Sequence, residues 1–232
     1  MSFVFVTGAT GFLGSNLVRA LLPRGHVVRA LVRSGSETRV TAGCEVIRGD
    51  PLDAASYRSR AAPADTFVHL VGVSHPSPAK AAEFRSVDLR SAVASIEAAR
   101  FSGIRQLIYV SVAHPAPVMK EYIQARSEAE YAIRASGLNA TILRPWYILG
   151  PGRRWPLVLL PVYWLMETLP STRDSARRLG LVTIDQMVAA LVNAVEDPAQ
   201  GLRVLEVPEI RASRLPARGS PALRDAGQGG RQ

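Results

Sequence analysis

The chain is poor in several residue types that would otherwise define its chemistry. Its 232 residues include one cysteine, Cys44, so an internal disulfide is excluded and a cysteine-rich zinc site is not expected. Lysine occurs only at Lys80 and Lys120, whereas Lys and Arg together number 28. Arginine therefore carries the positive charge, which we interpret as a bias of composition and not as a functional feature.

Targeting and membrane-spanning patterns are also scarce. Met1 and Ser2 lead directly into a strand-like run, without the basic and apolar regions of a signal peptide, so we expect a cytoplasmic location. Residues 155–166 are strongly apolar but short and interrupted by prolines, and we expect no transmembrane helix there. Two interpretations stay open: a buried helix of a substrate lobe, or a surface that contacts a membrane or a partner protein.

The net charge of +9 invites comparison with nucleic-acid-binding proteins, but its distribution does not favour that function. Residues 210–232 hold five arginines against one aspartate and thus +4 of the +9. This tail has few large apolar residues, and we expect it to be disordered. The remaining charge is modest and suits a protein that holds a phosphate-bearing cofactor. We therefore expect no nucleic-acid partner.

The rest of the chain alternates between strand-like and helix-like patterns. Helical patterns, such as those at about 78–100 and 122–135, separate the strand-like runs. The runs of β-branched and aromatic residues lie at 3–6, 27–32, 45–47, 66–71, 106–111 and 140–143. Such alternation pairs strands in parallel and covers both faces of the sheet with helices. The sequence thus predicts an α/β fold with a doubly wound parallel sheet over residues 1–145.

The alternation becomes less regular from Trp146 onward. We expect residues 146–209 to form a small substrate lobe together with a closing strand and helix of the core. Strand-like runs at 179–184 and 202–207 flank a helical pattern for which Asp185 is the expected N-cap.

The turn after the first strand is the most informative segment. Gly8, Gly11 and Gly14 recur at a spacing of three, and a helix with Leu17 and Leu21 on its apolar face follows. Glycines let the backbone approach a pyrophosphate, and the N–H groups and dipole of the new helix attract its charge. In this position the three glycines predict a dinucleotide phosphate site.

The glycine turn, followed by Asp50 and by Leu143-Arg144-Pro145, resembles the atypical and extended short-chain dehydrogenase/reductases. This family includes sugar-nucleotide epimerases, flavin- and quinone-type reductases, and redox-sensing NAD(P)-binding regulators. The similarity covers about residues 3–207 and implies a Rossmann fold with a nicotinamide cofactor. It assigns phosphate binding to the residues of the turn, namely Thr7, Gly8, Thr10, Gly11, Phe12, Leu13 and Gly14.

The resemblance also assigns cofactor contacts at the ends of later strands. Pro145 matches the residue beside the nicotinamide. Asp50 matches the residue that contacts the adenine amino group, although Asp-Pro also opens ordinary turns. The residues that match those beneath the adenosine side are Leu70, Val71 and Gly72.

The choice between NADP and NAD rests on Arg33 at the end of the second strand. NAD-specific relatives carry an acid there that holds the ribose hydroxyls, whereas an arginine suits a 2′-phosphate. The nearest acid, Glu37, comes four residues later. We therefore expect NADP, with NAD as the alternative, and with Arg29 and Ser34 as possible helpers of Arg33.

Family members that transfer a hydride use a serine or threonine, a tyrosine, and a lysine four residues after the tyrosine. This sequence offers Ser111, Tyr122 and Arg126. The spacing puts residues 122 and 126 on one helix face, but a guanidinium does not release its proton, so a relay through Arg126 is not expected. Tyr122 is therefore either the catalytic acid or base or an ordinary helix residue, and Ser111 is either catalytic or bonded to local backbone.

Two histidines are expected on loops at the carboxyl ends of strands, where ligands bind in open α/β sheets. His75 and His114 are each either a proton donor or substrate contact, or a plain loop histidine. Lys120, two residues before Tyr122, points elsewhere on the helix.

Three functions stay open from the sequence. The first is an NAD(P)H-dependent oxidoreductase acting on a small carbonyl, quinone or flavin-like substrate, in a pocket lined by Trp146, Tyr147, Trp155 and Tyr163. The second is a non-catalytic NAD(P)-binding sensor or assembly protein, which Arg126 and the stretch 155–166 favour. The third is an NAD-dependent sugar-nucleotide epimerase or dehydratase, which the short region after Gly150 and the missing lysine disfavour.

Overall fold

Buried β-branched and aromatic residues build the strands at the centre of the structure. The structure, a computed structural model, describes residues 1–116, 118–152 and 178–215. Its strands are β1 (Phe3–Thr7), β2 (Val27–Val32), β3 (Glu45–Arg48), β4 (Thr66–His69), β5 (Gln106–Val110), β6 (Asn139–Leu143), β7 (Tyr147–Leu149), β8 (Leu181–Thr183) and β9 (Leu202–Leu205).

Seven of these strands form one parallel sheet in the order β3-β2-β1-β4-β5-β6-β9. The order reverses between β1 and β4, and in open α/β sheets a ligand binds in the crevice outside the carboxyl ends at that point. β7 and β8 form a separate two-stranded parallel sheet. The predicted doubly wound α/β fold is confirmed.

Helices cover both faces of the sheet. They are α1 (Phe12–Leu21), α2 (Ala81–Glu83), α3 (Arg90–Phe101), α4 (Lys120–Ala135), α5 (Ile184–Glu196) and α6 (Val207–Ala212). A π-helical turn at Phe84–Leu89 joins α2 to α3. The expected regular helix at 78–100 is therefore interrupted, and the one expected from 122 begins at Lys120. No helix within the described ranges is long and apolar enough to cross a membrane, and the stretch 155–166 lies outside those ranges.

Two apolar clusters, one on each face, hold the sheet and its helices together. On one face Leu17 of α1 and Leu191 of α5 pack together with residues of the sheet. On the other face Phe67 of β4 packs with residues of α3 and with Ile133 of α4. All four side chains are fully buried, and each contributes about 2 kcal/mol relative to an exposed position. This packing fixes the helices that carry the residues of the crevice.

The start of α5 differs from the sequence prediction. Its N-cap is Thr183, two residues before the expected Asp185, because the Thr183 hydroxyl accepts a hydrogen bond from the Gln186 N–H. The Gln186 side chain in turn accepts from the Thr183 N–H at 2.9 Å. This reciprocal pair is a capping box, and it also shortens the preceding strand.

The prediction of a disordered tail from residue 210 is wrong for its first residues. α6 continues to Ala212, and Ile210 is fully buried. Glu206 and Glu209 form a second capping box at the start of α6, and the Arg211 side chain donates to the Leu181 carbonyl at 2.8 Å. These bonds outweigh the sparse apolar content of the segment. Residues 216–232 of the predicted tail lie outside the described residues.

We expect Thr183→Ala to lower the free energy of unfolding by about 1 kcal/mol, because it removes the N-cap of α5. Chemical denaturation of both proteins measures this change. Asp185→Ala in high salt, which screens the helix dipole, serves as the control and should change stability less, because Thr183 and not Asp185 is the cap. A larger loss from Asp185→Ala would mean that the cap is assigned to the wrong residue.

Candidate functional site

The glycine turn fits tightly between β1, β4 and α1. Gly8 has a positive φ of 77°, and a Cβ at this position would lie 2.8 Å from the carbonyl carbon of Leu70. A Cβ on Gly14 would overlap the carbonyl oxygen of Gly8. Only glycine at both positions lets the first turn of α1 approach the end of β1 so closely.

The helix that follows begins at the crevice. Gly11 is the N-cap of α1 in extended conformation, and its N–H donates to the Gly8 carbonyl at 3.0 Å. The first turn of a helix presents N–H groups that have no acceptor within the helix, together with a partial positive charge. The turn therefore forms a cradle that suits the pyrophosphate of a dinucleotide.

Two adjoining cavities extend from the glycine turn. We call the larger one, of about 340 Å³, the arginine-side cavity and the smaller one, of about 260 Å³, the tyrosine-side cavity. Residues of both the glycine turn and the end of β4 line the two cavities in common: Gly8, Gly11, Leu70 and Gly72. The two form one elongated cleft along the carboxyl edge of the sheet, in the place expected for a dinucleotide.

The arginine-side cavity contains most of the residues predicted for the adenosine half of the cofactor. Thr10, Arg33, Asp50 and Val71 line it, together with Ser36 and Arg39, which the sequence prediction missed. A short turn at Glu37–Arg39 brings Arg39 back toward the end of β2. No residue spacing in the sequence predicts that this turn brings Arg39 to the cavity.

The two predicted helpers of Arg33 are not brought into this cavity. The Arg29 side chain pairs with Glu45 at 2.7 Å and bonds to backbone carbonyls, because Arg29 lies inside β2 and not at its end. Ser34 does not line the cavity, whereas Ser36 does.

Asp50 lies in the cavity wall and also shapes its own loop. Its Oδ1 accepts a hydrogen bond from the Leu52 N–H at 2.9 Å, and its own N–H donates to Ser56 Oγ at 2.9 Å. The turn-forming and ligand-contacting interpretations of Asp50 are therefore compatible, because one carboxylate oxygen is enough for the turn.

The tyrosine-side cavity brings together three of the four predicted catalytic residues. Tyr122, Arg126 and Ser111 line it, with Pro145 and the remaining residues of the glycine turn, Phe12, Leu13 and Gly14. Trp146 and Tyr147 add the expected aromatic lining, whereas Trp155 and Tyr163 lie outside the described residues. The Tyr122 ring packs on Phe84, with 5.0 Å between ring centroids.

The guanidinium of Arg126 is buried behind this cavity. It lies 2.5 Å from the carboxylate of Asp88, and it donates to the Val110 carbonyl at 2.8 Å and to the Tyr109 hydroxyl at 3.3 Å. Its Cζ lies 5.2 Å from the centroid of the Tyr122 ring, within the range of a cation–π contact. Burial raises the pKa of Tyr109 to about 12, so its hydroxyl stays protonated.

The hydroxyl of Ser111 is engaged by a buried carboxylate. It donates to Glu130 at 2.6 Å, and Glu130 also pairs with Arg144, which bonds Glu206 at 2.7 Å. Burial on its own would raise the pKa of Glu130, but hydrogen bonds from Arg144 and Ser111 outweigh it and hold the pKa below its ordinary value. An ionised acceptor therefore orients the serine proton away from the cleft.

Two residues of the predicted site, His114 and Thr7, line neither cavity. His114 faces Glu130, with 3.4 Å between its Nε2 and the carboxylate. The other predicted histidine, His75, does line the tyrosine-side cavity. Thr7 is fully buried, and its hydroxyl lies 2.9 Å from Nδ1 of His69. Burial lowers the pKa of His69 to about 3, so this histidine is neutral and serves the packing beneath the sheet edge.

Besides Ser36 and Arg39, the sequence prediction missed Asp88 and Glu130 on the tyrosine side of the cleft. Glu130 follows Tyr122 and Arg126 at the same spacing of four on α4, a signal that was present in the sequence. Asp88 lies in the π-helical turn, where regular helical spacing does not hold. Within the described residues, no group of carboxylate, histidine and cysteine side chains is arranged to hold a metal ion.

We expect Glu130→Gln to lower the free energy of unfolding by about 3 kcal/mol at neutral pH, because it breaks a buried ion pair. The folded pKa of Glu130 lies below its ordinary value of 4.5. Its contribution is therefore complete above that value and is lost as the pH falls through the folded pKa. The difference between variant and unaltered protein should shrink as the pH falls below 4.5, as measured by denaturation across pH.

Glu128→Gln is the matched control, because Glu128 pairs with Arg85 on the exposed face of the same helix. It should change stability little at any pH. A Glu130→Gln deficit that stays constant from neutral to acid pH would contradict the assignment of an ionised Glu130.

Comparisons with known proteins agree with this geometry. A family model described as NAD(P)H-binding matches residues 8–154, more than half of the chain. The ceramide reductase of Caulobacter vibrioides is 32% identical over 210 residues, covering 90% of this chain and 65% of the relative. The 3-diazoavenalumate denitrifying reductase of a Streptomyces species is 31% identical over 227 residues, covering 85% of this chain and 73% of the relative.

A solved structure supports the same fold. The enzyme WbmH of Bordetella bronchiseptica, crystallised in complex with NAD⁺, superimposes with a TM-score of 0.66 at 19% identity, over 89% of this chain and 75% of that one. From the family match and the reductase relatives, the chain belongs to the NAD(P)H-binding family of extended short-chain dehydrogenase/reductases, and its cofactor is a nicotinamide nucleotide.

Proposed function

We propose that this protein is an NADP(H)-dependent oxidoreductase that reduces a small carbonyl, quinone or flavin-like substrate. The observation that carries the proposal is the pair of arginines at the end of β2 and the tyrosine–cation pair at the other end of the same cleft. Both ends adjoin the glycine turn. The similar relatives that are named as reductases support the reaction class.

The arginine-side cavity favours NADP over NAD. Arg33 and Arg39 both line it, and no carboxylate in the described ranges pairs with either of them. Glu37, the acid nearest to the end of β2 in sequence, is held by Arg48 at 3.0 Å and does not line the cavity. Two guanidinium groups that no described carboxylate holds suit a 2′-phosphate, whereas NAD is usually held by an acid at this strand end.

The tyrosine-side cavity favours a reduction. NADPH, when bound, supplies a hydride to the substrate carbon. The Tyr122 hydroxyl then donates the proton that the substrate oxygen needs, and the cation of Arg126 against its ring stabilises the phenolate that results. Trp146 and Tyr147 line the same cavity and help to exclude water from it.

A second candidate is a non-catalytic protein that binds the same cofactor. Two observations favour it: Arg126 stands in place of the lysine and is held by Asp88, and the Ser111 proton is held by Glu130. Under this alternative the protein binds NADPH but transfers no hydride to any acceptor. Turnover therefore separates the two candidates.

We expect Arg33→Ala and Arg39→Ala each to weaken NADPH binding by about tenfold or more, because each removes a charge-assisted contact to the 2′-phosphate. NADH binding should change little. Thermal shift and calorimetry with both nucleotides measure this, with a stabilisation of about 2.7 kcal/mol expected at one hundred times Kd. Arg29→Ala, whose side chain pairs with Glu45, is the control. Equal losses for NADH and NADPH would remove the argument for NADP.

We expect Tyr122→Phe to lower kcat for NADPH oxidation by about 100-fold or more, because the variant lacks the proton donor. The Kd for NADPH should stay close to that of the unaltered protein. Tyr131→Phe, on an exposed position of the same helix, is the matched control and should retain activity. Turnover that survives Tyr122→Phe would exclude Tyr122 as the acid, and absence of turnover in the unaltered protein across an acceptor panel would favour the second candidate.

A further inference from the structure

In the described parts of the chain, the guanidinium of Arg126 makes several polar contacts. Its two terminal nitrogens bond Asp88, the Val110 carbonyl and the Tyr109 hydroxyl. Its Nε is buried and has no hydrogen-bond partner in the described parts of the chain. The side chain is only 7% exposed, although it forms part of the wall of the tyrosine-side cavity. The cation is thus held by protein groups, and little of it is exposed to the cavity.

Asp88 forms the ion pair with this cation. The residue is fully buried in the π-helical turn, and its second oxygen accepts a hydrogen bond from the Val73 N–H at 3.1 Å. A π-helical turn changes the direction of side chains relative to a regular helix and is frequent at functional sites. Burial raises the pKa of Asp88, while the guanidinium and the Val73 N–H oppose that effect.

The ion pair lies directly beneath the cleft. A Cβ on Gly72 would overlap the Nη2 of Arg126 and would lie 3.0 Å from Oδ1 of Asp88. Gly72 lines both cavities, and Val73 lines the tyrosine-side cavity. The Asp88–Arg126 pair therefore supports residues 72 and 73 as a floor, on which the middle of the cofactor is expected to lie.

We propose that Asp88 is a positioning residue that holds the Arg126 guanidinium beneath this floor. Arg126, which stands where the family has a lysine, then shapes the cleft through the backbone of residues 72 and 73. It makes no direct contact with the cofactor. This inference rests on the cofactor site of the proposed function and does not require turnover.

The proposal makes the two residues interdependent. Removal of either partner leaves a buried charge without compensation, which disturbs the floor. Replacement of both by neutral side chains restores neutrality, and packing of similar volume tolerates such exchanges. If the cation contacted the cofactor, its loss would instead weaken binding whatever residue stood at position 88.

The experiment compares NADPH binding by calorimetry in the unaltered protein, Asp88→Asn, Arg126→Met and the double variant Asp88→Asn/Arg126→Met. Asn retains an acceptor for the Val73 N–H, and Met matches the length of arginine's apolar stem. We expect each single variant to raise the Kd by about tenfold or more and the double variant to return within about threefold of the unaltered protein. The double variant Asp88→Asn/Arg126→Gln repeats the test if the methionine variant does not fold.

The control is Arg24→Met/Glu196→Gln, which neutralises another arginine–carboxylate pair outside both cavities and should leave the Kd unchanged. A double variant at 88 and 126 that binds NADPH as weakly as Arg126→Met would overturn the inference, because the cation itself would then be required. Failure of the unaltered protein to bind NADPH would instead overturn the proposed function, so the two failures are distinguishable.

Discussion

The close approach between the first turn of α1 and the end of β1 is the constraint on which the site depends. Side chains at Gly8 or Gly14 would collide with backbone atoms just after β4 or with the turn itself. With glycine at both places, the amino end of α1 opens where the order of the strands reverses. A helix dipole, backbone donors and the crevice of the sheet then coincide. Everything else in the cleft is arranged along this edge.

Buried carboxylates organise the tyrosine side of that edge. Asp88 neutralises Arg126, and Glu130 joins Ser111 to Arg144. Ion pairs of this kind contribute little net stability, since desolvation offsets most of their attraction, but they allow few alternative arrangements. Their effect here is therefore on orientation: the hydroxyl of Ser111 points to Glu130, and the cation of Arg126 lies against two tyrosine rings. The polar groups of Ser111 and Arg126 are therefore largely engaged by these carboxylates and not directed into the cleft.

The sequence predicted the parts of the structure that obey regular periods. The buried strands, the glycine turn and the parallel order follow from local patterns. The spacing of Tyr122 and Arg126 placed both on the wall of one cavity. The errors arose where hydrogen bonds between distant or irregular segments decide the outcome. Thr183 and not Asp185 caps α5, because Thr183 forms a reciprocal hydrogen-bonded pair with Gln186. An irregular turn brings Arg39 to the wall of the arginine-side cavity. A π-helical turn, which breaks the regular helical spacing, positions Asp88.

Glu206 connects α6 to the residues of the cleft. Its side chain takes part in the capping box of α6 and also pairs with Arg144, which in turn holds Glu130. A shortened protein that ends before this residue would lose an anchor that lies three contacts away from Ser111. It would also lose the edge strand beside β6 if it ended before β9. Any trimming of the carboxyl end for crystallisation should therefore begin beyond Ala212, even though the glycine turn lies at the other end of the polypeptide.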